Sequence, residues 1–183
     1  MILPIYVYGS GVLKKQAEEI PLDYPDLQQL ITDMWETMHH ADGVGLAAPQ
    51  LGKPIRLFVV DGALLSDDRP ELKDFKRVMI NPRLVEESKT LCSYSEGCLS
   101  LPDVHVDIER PEWMVIEYTN EHLVPKSERL TGFACRMVQH EYDHLEGILF
   151  TDKASAIRKK MLQSKLQSIA KGKGKASYKT VVL

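Results

Sequence analysis

The chain has few cysteines: Cys92, Cys98 and Cys135 are the only three among 183 residues. A small odd number excludes a disulfide-stapled scaffold. It fits a reducing compartment, where a thiol is buried, catalytic or metal-bound rather than cross-linked. Long hydrophobic runs are missing too. No stretch of 18 apolar residues occurs, so no transmembrane helix is expected. The stretch Met1–Tyr8 has no basic flank and no small-residue cleavage site, which excludes a signal peptide, and it is not an Arg/Ser-rich transit peptide. The expectation is a cytoplasmic protein with no membrane partner.

Acidic residues vanish towards the end. Between Lys153 and Leu183 there are nine Lys or Arg and no Asp or Glu, whereas residues 1–152 carry 14 basic and 26 acidic side chains. An acidic body with a basic end suggests that the end meets something anionic; the simpler reading is a solvated helix with a frayed terminus. The length fits one domain. Residues 1–170 are read as a single catalytic domain and 171–183, containing Lys-Gly-Lys-Gly-Lys, as a flexible or irregular basic tail.

Periodicity supplies the elements. Leu27, Leu30, Ile31, Met34, Trp35 and Met38 recur at threes and fours, which predicts a helix over about residues 25–41 with Gly43 as its stop. Short runs rich in Val, Ile and aromatics predict strands at residues 55–61, 77–81, 83–94, 104–110 and 113–119. A second helix is predicted over about 131–146, ended by Gly147. A third covers about 154–170, with Ile157, Met161, Leu162, Leu166 and Ile169 as its buried stripe. Strands flanked by segregated helices make the fold α+β: antiparallel or mixed sheets packed around a central helix, with a helix towards each terminus.

That central helix carries His140-Glu141-Tyr142-Asp143-His144. Residues four apart on a helix lie roughly 40° apart on one face, so both imidazoles can face one metal ion. Glu141 is close enough to take a proton from a water bound there, which is the chemistry of metal-assisted hydrolysis. Two surface histidines would be the bland alternative. Phe133, Met137, Val138, Leu145 and Leu149 around the motif argue for burial, and buried polar groups need partners.

A catalytic ion usually has three protein ligands and one open position. The downstream ligands of the common metallopeptidases are absent: Phe150 stands six residues after His144, and no carboxylate follows Asp152. The third ligand must therefore lie upstream, among Cys92, Cys98, Cys135, His39, His40, His105, His122 and several carboxylates. Cys135 is roughly 140° round the helix from His140 and faces away. Cys98 follows Gly97, which lets another backbone approach, but spacing favours it only slightly over Cys92. A thiolate with two imidazoles suits Zn²⁺ or a similar ion.

Three segments in order, Gly43-Val-Gly-Leu-Ala-Ala-Pro-Gln50, Glu96-Gly-Cys-Leu-Ser100 and Gln139-His-Glu-Tyr-Asp-His144, make the first 150 or so residues similar to peptide deformylase. The resemblance implies a hydrolase that removes the N-formyl group from N-formyl-methionyl nascent peptides and releases formate. It implies Cys98, His140 and His144 as metal ligands and Glu141 as general base and acid. Gln50 and the Leu99 N–H would donate to the oxyanion. Val44, Gly45, Phe133 and Met137 would bind substrate. It also implies one divalent ion, Fe²⁺, for which Zn²⁺, Ni²⁺ or Co²⁺ can substitute, a monomer, and ribosome contact through the basic C-terminal region. Two residues depart from the pattern: His105 stands where many relatives have Arg, and Arg136 sits among apolar neighbours. Both bear on peptide preference. Two rivals remain on sequence grounds: a peptidase for internal amides, and a non-enzymatic binder with a structural metal, which would need a fourth protein ligand.

Overall fold

The computed structural model describes residues 1–183. Nine strands and three α-helices follow in the order β1 (Ile5–Tyr6), α1 (Leu27–His40), β2 (Gly45–Ala47), β3 (Leu57–Asp61), β4 (Lys76–Glu87), β5 (Leu91–Cys98), β6 (Leu101–Pro111), β7 (Trp113–Thr119), β8 (Pro125–Thr131), α2 (Gly132–Leu145), α3 (Ala156–Ala170) and β9 (Thr180–Val181). β2, β3, β4, β7 and β8 form an antiparallel sheet in that spatial order. β5 and β6 make a separate hairpin, and β1 pairs with β9 in parallel. The α+β expectation holds, with the main sheet and the hairpin antiparallel.

The five-stranded sheet is buried on both faces around β3. In β3, Leu57 and Val59 point into a layer filled by Leu30, Met34 and Met38 of α1, while Phe58 and Val60 point into a layer with Met137, Val138 and Leu145 of α2. Burial on both sides explains why β3 reads as a continuous apolar run instead of an alternating one. A third layer packs Leu101, Val104, Val106 and Ile108 of the hairpin against Leu149, Phe150, Leu166 and Ile169. α2 thus packs on the sheet, while the hairpin packs on the segment that follows α2 and on α3.

The helix ends set where the loops of the site begin. α1 closes with Asp42, not Gly43, in the left-handed conformation (φ +54°); Asp42 N–H donates to His39 O and Gly43 N–H to Met38 O. This is a Schellman closure with an Asp in the glycine position. Gly43 serves a different need, because a Cβ there would meet the Leu99 side chain at 2.7 Å. α2 ends as expected at Gly147 (φ +73°), with Gly147 and Ile148 N–H donating to His144 O and Asp143 O.

Several expectations about elements change. Residues 77–81 and 83–87 are one strand, β4, bent by register shifts after Ile80 and Leu84. Residues 91–94 belong to the hairpin instead, and β8 was not foreseen, because Pro-Lys-Ser-Glu-Arg-Leu-Thr is polar along most of its exposed length. The stripe of α3 buries only Leu166 and Ile169; Ile157 and Met161 are 75% and 77% exposed, because at about 100° per residue they lie on a different face of the helix from those two. Residues 171–179 are irregular, and the chain then adds β9 to β1.

Gly147 ties the end of α2 to the N-terminal segment. A Cβ there would lie 2.6 Å from Lys14 O in a backbone conformation that L residues adopt only under strain. Gly147→Ala is expected to destabilise the metal-loaded protein by about 1–3 kcal/mol, read from chemical denaturation midpoints.

Candidate metal centre and active site

α2 and the end of β5 bring the expected ligands together. Cys98 Sγ, His140 and His144 present ligand atoms that lie within 4.8 Å of one another. Cys98 Sγ is 3.3 Å from His144 Nε2. The two imidazoles stand edge to face with centroids 5.1 Å apart. Cys92 and Cys135 are outside this group; Cys135 is buried, and burial pushes its thiol up to about 12, as suits an inert core cysteine.

The donor set fits a divalent cation. Nδ1 of His140 lies 2.9 Å from Glu96 Oε1. Donation to that carboxylate fixes the tautomer and leaves Nε2 as the free ligand atom. His144 is buried and its Nδ1 has no partner. Burial, and then the neighbouring His140, hold His144 well below the ordinary histidine range, so it stays neutral and can ligate. Burial alone would push His140 down as well, but Cys98 and Glu96 outweigh it and raise it. A sulfur, a carboxylate and two imidazoles converging in a closed space call for positive charge at their centre, and thiolate with imidazole suits Zn²⁺ or Fe²⁺.

Glu96 is the residue whose role sequence reasoning missed. It is 4% exposed. Besides His140 it accepts from Arg110 Nε (2.7 Å) and Nη2 (2.9 Å) and from Arg136 Nη1 (2.7 Å). Burial would raise its carboxyl, but the bonds from His140 and Arg110 prevail and hold it far below the usual carboxylate range. Arg110 also reaches Asp143 of α2 (2.6 Å), and Arg136 reaches Ile108 O and Cys92 O. Two signals were available. Arg110 shares its parity with buried Val104, Val106 and Ile108 on β6, and Arg136 stands one helical turn before His140. Arg136 therefore secures Glu96 from beneath, and its side-chain bonds run to the hairpin.

Glu141 follows the ligand His140 and is 4% exposed, with Oε2 unpartnered. Burial raises its carboxyl to about 7. Gly45 lies against it, and any Cβ at residue 45 would overlap Glu141 Oε1. The glycine is required by this approach rather than by a helix stop. Gln50 is buried; its Oε1 accepts from Ala47 N–H (2.9 Å), and its Nε2 donates to Ser100 Oγ (3.0 Å) and more weakly to Cys98 Sγ (3.4 Å). Ser100 N–H also donates to Cys98 Sγ (3.4 Å).

These groups open onto a cavity of about 410 Å³ lined by Val44, Gly45, Leu99, Phe133, Met137 and Glu141, among others. Every substrate-binding residue expected from the sequence is on its wall. His105 lines it too, exposed and packed over Gly97. Leu65 and Tyr178 line it without having been anticipated. They come from segments remote in the chain from any motif, which no local pattern could reveal.

The comparisons with known proteins point to one family. The family model described as polypeptide deformylase matches residues 2–160. The peptide deformylase of Christiangramia forsetii is 49% identical over 98% of this chain and 95% of the relative; that of Flavobacterium johnsoniae is 48% identical over the same shares. The crystal structure of peptide deformylase from Thermus thermophilus superposes with a TM-score of 0.83 at 35% identity, covering 94% of this chain and 99% of that one.

Removing the Glu96 charge tests the support of the ligands. Glu96→Gln is expected to weaken divalent-metal affinity about 10- to 100-fold in competition with a chromophoric chelator. Unchanged affinity would exclude Glu96 from that part.

Proposed function

The chain belongs to the polypeptide deformylase family, and on that premise we propose how its residues perform the reaction. The protein is a hydrolase that removes the N-formyl group from newly made proteins and releases formate. The observation that carries the residue assignment is the convergence of Cys98, His140 and His144 beside a buried, unpartnered Glu141 oxygen at the cavity wall.

Cys98, His140 and His144 would hold the ion, which when bound polarises the formyl oxygen and lowers the pKa of water towards ~7. Glu141 takes a proton from the attacking water. The water oxygen forms a bond to the formyl carbon, and negative charge moves to the formyl oxygen. Leu99 N–H and Gln50 Nε2 donate to that oxygen. Gln50 has two hydrogens; one stays with Ser100, and the long bond to Cys98 Sγ is the one free to swing. The C–N bond then breaks as Glu141 passes its proton to the departing amine, giving formate and a free N-terminus. Val44, Phe133 and Met137 receive the methionine side chain. Gly45 lies in β2, an edge strand of the sheet, where an extended peptide can add backbone hydrogen bonds.

The native ion is proposed to be Fe²⁺ on the family resemblance, with Zn²⁺, Ni²⁺ or Co²⁺ as substitutes. Fe²⁺ and its thiolate ligand are both oxidisable, so the protein should be handled without oxygen. A monomer acting in the cytoplasm is proposed. No helix is long and apolar enough to cross a membrane. The basic residues of 153–183 are proposed to meet ribosomal RNA. Replacing Lys159 and Lys160 by Gln should weaken ribosome binding and flatten its salt dependence; unaltered binding would remove this contact.

Glu141→Ala should retain the metal and lose at least about 10²-fold in formate release. Full activity in that variant would overturn the proton-transfer assignment. An internal-amide peptidase would turn over unformylated Met peptides as fast as formylated ones, whereas strict dependence on the formyl group is expected here.

A further inference from the structure

The C-terminal segment, which takes no part in the mechanism above, reaches the same cavity. After α3 the chain returns to the N-terminal strand. Ile5 N–H donates to Lys179 O (2.9 Å), Val7 N–H to Val181 O (3.0 Å) and Gly11 N–H to Leu183 O (2.9 Å). This pairing delivers Tyr178 to the active-site loop. Its hydroxyl donates to Leu99 O at 2.7 Å, its ring packs beside Leu99 against the α1 core layer, and it forms part of the cavity wall.

β1 braces the same loop from its other side. Tyr6 O accepts from Ser100 Oγ (2.6 Å), the same hydroxyl that accepts from Gln50, and Ser100 O accepts from Tyr8 N–H (2.8 Å). The peptide unit between Leu99 and Ser100 is therefore held at both ends. Tyr178 donates to its carbonyl, and its N–H donates to Cys98 Sγ. Hydrogen bonds aligned through one peptide polarise each other. Residue 99 lies between this clamped unit and the N–H aimed at the formyl oxygen, so fixing one side restricts the other.

We propose that Tyr178 is a positioning residue for deformylation: it holds the Leu99–Ser100 peptide so that the Leu99 N–H faces the developing oxyanion. The catalytic unit then extends past residue 170, and the final residues hold a part of the active site as well as a basic surface. The proposal rests on the assignment of Leu99 N–H as an oxyanion donor. It requires only that Tyr178 keep its hydroxyl; the ring alone fills the same space.

Tyr178→Phe removes the hydrogen bond and keeps the ring. In the metal-loaded enzyme, kcat on a formyl-Met peptide is expected to fall about 10-fold, less than for loss of a whole oxyanion donor, with KM and Tm within about twofold and a few degrees of the parent. Amide hydrogen exchange at Leu99 and Ser100 in the Zn²⁺-loaded protein should accelerate about 10-fold. Tyr178→Leu serves as the packing control and should lower Tm in addition. Wild-type kcat in Tyr178→Phe would overturn the proposal, as would a loss of kcat that appears only where Tm also falls. A peptide hydroxamate, whose oxygens mimic the attacked formyl group, separates the two assignments. If it fails to shift the Leu99 amide resonance of the parent protein, the oxyanion assignment fails and takes the proposal with it. If it shifts that resonance while Tyr178→Phe behaves as the parent, the proposal alone fails.

Discussion

The Glu96 carboxylate joins the β5–β6 hairpin to α2. It is buried, accepts from Arg110 and Arg136, and pairs with the ring nitrogen of His140. Taking such a charge out of water costs several kcal/mol, and only full satisfaction of its oxygens offsets that cost. Three partners from two elements provide it: Arg110 on β6, and Arg136 and His140 on α2. The consequence is geometric: Glu96 cannot sit in its place unless the hairpin, which also carries Cys98, is docked against the helix that carries both histidines. Metal ligands two residues from Glu96 and on the facing helix are thereby aligned before any ion arrives.

The three apolar layers support the same junction. α2 packs through Met137, Val138 and Leu145 on the sheet, and the hairpin packs through Leu101, Val104, Val106 and Ile108 against Phe150 and α3. Burying side chains of this size stabilises each layer by about 1.5–3 kcal/mol per residue, which is enough to hold the charged seam closed. The glycines near the site follow from close approach. Gly45 yields to Glu141 and Gly43 to Leu99, so the loop after α1 can lie directly over the reacting groups.

Much of this was legible in the sequence. Helices α1 and α2 announced themselves by their apolar spacing, and the two histidines four apart named the metal helix. Cys98 could be favoured only slightly on spacing, since its partners are far along the chain; its motif resemblance decided more. Glu96 went unread because a carboxylate in a strand looks like a solvated residue until its arginines are placed beside it. β8 is polar and edge-like, and hence silent. Tyr178 was invisible for the same reason as Leu65: long-range docking of an irregular segment leaves no periodic trace. In α3 the apolar residues are spread around the helix, so Ile157 and Met161 lie on a different face from Leu166 and Ile169 and stay exposed.

The central claim is that one ion held by Cys98, His140 and His144 makes the site active. Anaerobic titration of metal-free protein with Fe²⁺, read by formate release from a formyl-Met peptide, tests it most directly. Activity should start from near zero and rise linearly to a plateau at one equivalent per chain. Full activity before any metal is added, or a plateau reached only at two equivalents, would contradict it.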